Sequence, residues 1–363
     1  MLKFELIKQN NYQDDKSRLG KIRTAHGGIN TPTFMPVGTC ASVKGITPAQ
    51  LDDIGAEIIL SNAYHLMLRP GAKLINSLGG LHKFMHWHKP ILTDSGGFQV
   101  MSLSALRKVT EQGVEFRSHI DGSLHLLTPE KSTQIQHLVG STISMIFDEC
   151  LQLPATYEQT RNSMELSLRW AERSKNSFVK RDGYGQFAIV QGGMFEVLRI
   201  QSAKSLIEMS FDGYAIGGLA VGETQSQMFE VLDYTAPILP KEKPRYLMGV
   251  GKPSDIIGAV KRGVDMFDCV IPTRSGRNGQ AFTKNGPINI RNQQYKTNTA
   301  PLEEGCECYC CKNFNKAYIH HLVKAKEMLG AILMTLHNLH YFQDLMKRIR
   351  AYINDGREID FDA

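Results

Sequence analysis

The chain is short of several things, and each shortage excludes something. No stretch approaches the roughly 18 consecutive apolar residues that a spanning helix needs. The opening Met1-Leu2-Lys3-Phe4-Glu5 has no secretory-signal pattern. A cytoplasmic location, with no membrane partner, is therefore expected. Low-complexity runs, linkers and fixed-period repeats are absent, which excludes a repeat array. Cysteines number 7 in 363 residues, and four of them crowd between Cys306 and Cys311. A disulfide framework would spread them along the chain, so the cluster points to a metal. Phosphate-cradling glycine motifs are missing too. Gly217-Gly218-Leu219-Ala220-Val221-Gly222 has Leu219 where a dinucleotide fingerprint needs its second glycine. Gly251-Lys252 is followed by Pro253 in place of Ser or Thr, and Tyr246 stands where a P-loop needs its first glycine.

What is present is an ordinary globular balance, 42% hydrophobic and 21% charged, which supports a large core. The length suits two domains, or one large barrel with an appendage. The 15 methionines read as core filler. The net charge of +6 is uneven: residues 241–330 hold 15 Lys and Arg against 8 Asp and Glu, and the remainder 27 against 28. A basic surface of this kind suits a polyanion such as nucleic acid, or is simply a solvated face.

Short apolar runs alternate with helical segments. Ile58–Leu60, Ile91–Thr93, Ile143–Phe147, Phe187–Val190, Tyr214–Ile216, Tyr246–Met248 and Met266–Phe267 read as buried strands. Helix-start signals stand at Thr47-Pro48 with Gln50, at Thr128-Pro129, and at Thr224 with Gln227. Longer helices are expected near 157–178, 195–209 and 253–262. The alternation implies a parallel sheet, and seven or eight units favour a closed (β/α)8 barrel of the TIM type. Six strands end in small, polar or acidic residues: Asp94-Ser95-Gly96-Gly97, Asp148-Glu149-Cys150, Gln191-Gly192-Gly193, Gly217-Gly218-Leu219, Gly249-Val250-Gly251 and Asp268-Cys269. Strand ends are where barrel enzymes keep their chemistry. Asp121-Gly122 marks a hairpin insertion, Phe116–Ile120 against Ser123–Leu127. After Pro272 the pattern changes to short strands over 279–296, then the cysteine cluster, then helices near 315–328 and 331–353. The expected division is a catalytic barrel over 1–275, a zinc-binding subdomain over 276–345, and a terminal helix and tail over 346–363.

Cys306-x-Cys308-x2-Cys311 followed by His337 offers three thiolates and one imidazole, a closed tetrahedral zinc set with no open position for water. Its role would be folding. Spacing alone leaves Cys310 as a rival to Cys311, and His320, His321 and His340 as rivals to His337. Asp94, Asp148 and Asp268 each close an apolar strand, where a carboxylate can act as nucleophile, acid/base or acceptor for a donor edge. One such aspartate would read as a loop acid; three at matching positions read as a site.

Thr93-Asp-Ser-Gly-Gly-Phe-Gln-Val100, Phe147-Asp-Glu-Cys150, Val190-Gln-Gly-Gly193, Gly217-Gly-Leu-Ala-Val-Gly-Glu223, Asp265-Met-Phe-Asp-Cys269, Pro272-Thr-Arg-Ser-Gly-Arg277 and the C-x-C-x2-C…H set together resemble the bacterial tRNA-guanine transglycosylases, the queuine tRNA-ribosyltransferases. The resemblance runs from about residue 3 to the C-terminus. It implies a homodimeric (β/α)8 barrel with an inserted C-terminal zinc subdomain. It also implies exchange of guanine at wobble position 34 of tRNAs for Asp, Asn, His and Tyr for 7-aminomethyl-7-deazaguanine, within queuosine biosynthesis. By motif, Asp268 matches the nucleophile and Asp94 the general acid/base. Asp148, Gln191, Gly218 and Leu219 match the base-binding residues, with Ser95, Glu223, Phe98 and Met248 nearby and Asn62 close to the ribose. Arg274 and Arg277 match RNA contacts. Cys306, Cys308, Cys311 and His337 match the ligands of one structural zinc per subunit; Cys310 is a local departure. The anticodon loop is the implied docking region, because an unpaired base leaves its stack most easily. Two other readings stand beside this one: a non-catalytic tRNA-binding subunit, which the three retained aspartates oppose, and a zinc hydrolase, which the closed ligand set opposes.

Overall fold

The computed structural model describes residues 2–10, 15–103, 107–151 and 154–359. Eight parallel strands form the centre: β1 (Thr33–Pro36), β2 (Ile59–Ser61), β3 (Ile91–Thr93), β4 (Ile143–Met145), β5 (Gly185–Val190), β6 (Gly213–Ile216), β7 (Arg245–Leu247) and β8 (Met266–Cys269). Each pairs with its neighbours in chain order, and β8 returns to β1 with Asp268 opposite Met35. A parallel bridge between Val37 and Leu60 closes the remaining gap between β1 and β2. The expected barrel is thus present. Nearly every strand residue is buried, as parallel strands covered on both sides require.

Several expected helix starts are realised. Thr47 and Thr224 form capping boxes with Gln50 and Gln227, and the Thr128 hydroxyl accepts the Lys131 N–H. Such caps satisfy N–H groups that the first turn leaves without partners, and each contributes about 1 kcal/mol. Helices Tyr157–Ser177, Glu196–Met209 and Pro253–Lys261 lie within a residue of the expected limits.

The sequence pattern missed β1 and a three-stranded antiparallel sheet before it, Lys3–Gln9, Arg18–Thr24 and Gly27–Thr31. That sheet lies across the N-terminal end of the barrel. Leu2 N–H donates to Tyr184 O, and Arg18 Nε stands 3.3 Å from Asp265 Oδ1 with both side chains fully buried. Removing one member of a buried pair typically costs about 3–5 kcal/mol, so this contact fixes the sheet to the foot of β8. The expected hairpin is present as Val114–Arg117 against Leu124–Leu127, with residues 118–123 forming a longer loop than the expected two-residue turn, and a third strand, Arg107–Val109, joins it. Trp170 Nε1 and Arg173 donate to Glu111 O, tying this sheet to the helix Tyr157–Ser177.

Beyond β8 come the helix Ile271–Arg277, a two-stranded ribbon (Gln280–Ala281 with Ile288–Asn289) and short helices Tyr309–Asn313 and Lys316–Lys324. One helix, Met328–Asp355, then returns to the barrel. It packs Phe342 on Phe34 of β1 at 4.8 Å and donates Gln343 Nε2 to Phe34 O. The segment that carries Cys306–Cys311 is therefore inserted between β8 and the last barrel helix. Residues 345 and 346, where a boundary was expected, lie inside that helix.

Candidate functional site

A cleft of about 690 Å³ opens at the C-terminal ends of the strands. Its lining includes Asn62 after β2, Asp94 and Ser95 after β3, Phe98 on the helix Gly97–Leu103, Asp148 after β4 and Gln191 after β5. Gly218, Leu219 and Glu223 follow β6, Met248 follows β7, Asp268 ends β8, and Arg274 stands on the next helix. All three expected aspartates share this one mouth. Arg277 does not line the cleft; it lies one turn from Arg274 on the helix Ile271–Arg277 and is half-buried.

Asp94 is buried and held by three donors. Asn62 Nδ2 donates to Oδ2, Gln99 Nε2 donates to Oδ2 at 2.6 Å, and the Ala63 N–H donates to Oδ1 at 2.8 Å. Asn62 precedes the helix Ala63–Leu68 but spends its side chain on Asp94 and not on a cap. Burial pushes the Asp94 carboxyl up to about 6; the three donors oppose that shift, and the charge of Asp268 adds to it. The group is thereby poised to gain and lose a proton near neutrality.

Asp268 is half-buried at the end of β8. Tyr246 OH donates to Oδ1 at 2.5 Å and Gly249 N–H to the same oxygen at 2.8 Å. Gly249 has φ +74, a left-handed conformation that glycine adopts without strain. Burial raises the Asp268 pKa, while these two donors lower it. Both bonds end on Oδ1, which leaves Oδ2 as the oxygen without a donor among the described residues.

Asp148 is buried and accepts from Gln191 Nε2 at 2.7 Å. Burial pushes it up to about 6 against the pull of Gln191 and Ser95. Gly97 and Gly218 are small for steric reasons. A Cβ at Gly97 would meet Asp148 O at 2.6 Å, and one at Gly218, where φ is +67, would meet Gln191 Oε1 at 2.6 Å. Glu223 accepts the Ala220 and Val221 N–H groups, which fixes the loop after Leu219. Tyr246, Gly249 and Gln99 carry much of this geometry yet received no role from the sequence. Gln99 sat inside a recognised motif; Tyr246 read as strand core, and only the β7–β8 register turns its hydroxyl toward Asp268.

The second cluster lies in the inserted segment. One donor atom each from Cys306, Cys308, Cys311 and His337 lies within 4.8 Å of the others. His337 Nδ1 faces the three sulfurs at 3.8, 3.6 and 3.4 Å, while Nε2–H donates to Phe282 O at 2.8 Å. A ligand histidine oriented by a backbone carbonyl is a common feature of metal sites, and the set is suited to a metal ion. The rivals separate in space. Cys310 packs in an apolar cluster with Ile319 and Leu322, His320 pairs with Ile290 O at 2.7 Å, and His321 is exposed. His340 Nδ1 lies 3.7 Å from Cys306 Sγ alone. No described helix is long and apolar enough to cross a membrane.

Comparison with known proteins gives a consistent picture. A family model described as queuine tRNA-ribosyltransferase matches residues 14–362. A Rickettsia bellii (strain OSU 85-389) protein named queuine tRNA-ribosyltransferase is 66% identical over 351 residues, covering 97% of each chain. One of the same name from Rickettsia rickettsii (strain Sheila Smith) is 64% identical over 352 residues, covering 97% of this chain and 98% of its own.

Proposed function

The chain belongs to the queuine tRNA-ribosyltransferase family and is an enzyme of that family; from that premise we propose that it replaces guanine 34 of tRNAs for Asp, Asn, His and Tyr with 7-aminomethyl-7-deazaguanine through a covalent aspartyl–ribose intermediate. The observation that carries the reading is the meeting of Asp94, Asp148 and Asp268, from the ends of three different strands, in one cleft.

In the first half-reaction Asp268 attacks the ribose C1′, and the bond from C1′ to the guanine ring nitrogen breaks. Asp94 gives that nitrogen a proton, because guanine leaves poorly as an anion. In the second half the incoming base returns a proton to Asp94, its ring nitrogen attacks C1′, and Asp268 is released. Two displacements restore the configuration at C1′, as in a retaining glycosidase. The sugar never meets water, so no net energy input is needed. Asp148 accepts from the N1–H and exocyclic amine of the purine, and Gln191, Gly218 and Leu219 serve its remaining polar edge. Arg274 and Arg277 face the RNA phosphates, an interaction that weakens with salt. Asn62, Ser95, Phe98, Met248 and Glu223 complete the pocket. Cys306, Cys308, Cys311 and His337 would hold one zinc ion per subunit, which supplies a structural staple and no reactive position. We extend the reading to a homodimer in the cytoplasm that engages the anticodon loop.

Asp268→Asn tests the proposal. The variant should fold and bind tRNA, incorporate no labelled guanine, and form no adduct with RNA on a denaturing gel. Exchange at the wild-type rate would refute it. Mass spectrometry of tRNA incubated with each candidate base checks the base preference.

A further inference from the structure

Arg199 is fully buried, on the helix Glu196–Met209, and does not line the cleft. Its three hydrogen bonds all go to backbone carbonyls. Nε donates to Gly193 O at 2.9 Å, and Nη1 donates to Val190 O at 2.9 Å and to Gly217 O at 2.8 Å. Burial lowers its pKa to about 10, so it remains a cation at neutral pH.

The placement of those carbonyls is informative. Strands β5 and β6 pair up to Val190 opposite Ile216, and Gly217 N–H donates to Val190 O at 3.1 Å. Beyond that point the two chain segments part to form the mouth, and backbone pairing can no longer align them. Val190 immediately precedes Gln191, Gly217 immediately precedes Gly218, and Gly193 ends the Gln191-Gly192-Gly193 turn. The guanidinium thus takes over where the sheet stops. One turn further along the same helix, Ser202 Oγ accepts the Gln191 N–H at 3.2 Å. Gly192, with φ +143, leaves no room for a side chain, since a Cβ would meet Arg199 N at 2.7 Å.

We propose that Arg199, assisted by Ser202, is a positioning residue for base recognition, joining the Gln191 turn to the Gly218-Leu219 turn so that both meet the free purine in register. The inference rests on the base-binding roles given above to Gln191, Gly218 and Leu219. A planar fork suits this task, because it holds several acceptors in fixed directions; a lysine keeps the charge but offers one nitrogen. Small displacements of positioning groups are costly in rate and affinity.

The test uses the full-length enzyme with a tRNA transcript and labelled guanine. Arg199→Lys should raise KM for guanine about tenfold or more, with KM for tRNA within about twofold of wild type and kcat reduced less than KM is raised. Ser202→Ala, a milder change to the same turn, should raise KM for guanine by a few-fold and melt with wild type. A guanine KM unchanged in both variants would overturn the inference. So would guanine and tRNA KM values rising in parallel, the mark of a merely structural role. Wild-type enzyme that exchanges no guanine at all would instead remove the functional reading on which the inference stands.

Discussion

Asp148→Asn should stabilise the protein at neutral pH while removing its affinity for guanine. The carboxyl is 6% exposed, and burial raises it from 3.8 to about 6 although Gln191 Nε2 donates to it at 2.7 Å. The native state therefore holds this proton more tightly than the unfolded chain does. Its contribution to stability is complete below the unfolded value near 3.8, and it is lost as pH rises through about 6. Two pKa units correspond to roughly 3 kcal/mol, at about 1.36 kcal/mol per unit. Asparagine cannot ionise and escapes that loss. Its amide keeps an acceptor for Gln191, so little else need change. The stability of the variant relative to wild type should improve by about 2 kcal/mol between pH 4 and pH 8, most of it between pH 4 and pH 6. Denaturant unfolding across that pH series measures the difference directly. Binding moves the other way: an amide N–H2 placed against the purine donor edge leaves donors facing donors, at about 1–3 kcal/mol each. KM for guanine should rise roughly a hundredfold. A stability difference that stays flat from pH 4 to pH 8 would refute the assignment of Asp148 as a carboxylate held in a desolvated cleft.

Tyr246→Phe removes one of two donors to Asp268 Oδ1, so the Asp268 pKa should rise further. The acid limb of kcat/KM should then move to higher pH, with a loss of about tenfold or more at its acid end, because bonds to charged groups contribute about 1.5–3 kcal/mol; an unmoved limb counts against Asp268 as the group that must be ionised. Cys311→Ser should lose its metal and, with it, several kcal/mol of folding energy, whereas Cys310→Ser should retain one metal ion per chain. Elemental analysis and thermal melts distinguish the two, and equal metal loss would mean that the buried Cys310 is a ligand after all.

The strand-end residues were legible because a barrel sends every strand terminus to one rim, so a polar or acidic residue after an apolar run already carries an approximate position. Capping boxes at Thr47 and Thr224 were legible for a similar reason, since their chemistry lies within four residues. Strand β1 was not. Thr33–Pro36 is four residues long, contains a polar first residue and ends in proline, so neither alternation nor length marks it. The N-terminal sheet escaped because its pairing, Lys3 opposite Arg23, joins residues of mixed polarity on an exposed face. Tyr246 and Arg199 were illegible for another reason. Tyr246 reads locally as strand core and Arg199 as one residue of an expected helix, and the importance of each comes from what neighbouring segments bring beside it: Asp268 for Tyr246, and three carbonyls from two strand ends for Arg199. Among the thiols, spacing could not rank Cys310 against Cys311. Helix phase does so, because Tyr309–Asn313 turns one sulfur toward His337 and the other into an apolar cluster.

The helix Met328–Asp355 shows how a metal held by Cys306, Cys308, Cys311 and His337 would bear on the cleft without taking part in its chemistry. His337 offers Nδ1 to the three cysteines. The next residue, Asn338, donates to Pro272 O and Gln280 O at 2.9 Å each and accepts the Phe282 N–H at 3.0 Å. Pro272 belongs to the helix Ile271–Arg277, which begins three residues after Asp268 and carries Arg274 and Arg277. Further along, Phe342 and Gln343 engage Phe34 on β1, the strand that pairs with Asp268. One helix therefore reaches from the Cys3His set to the segment after Asp268 and to the strand beside it. A closed Cys3His set offers no coordination position for a substrate atom, so the influence a bound metal would exert is mechanical. By fixing the long helix against the ribbon, a bound metal would hold the floor of the cleft in place, and on the proposed mechanism Asp268 would tolerate only about half an ångström of error in meeting the sugar carbon.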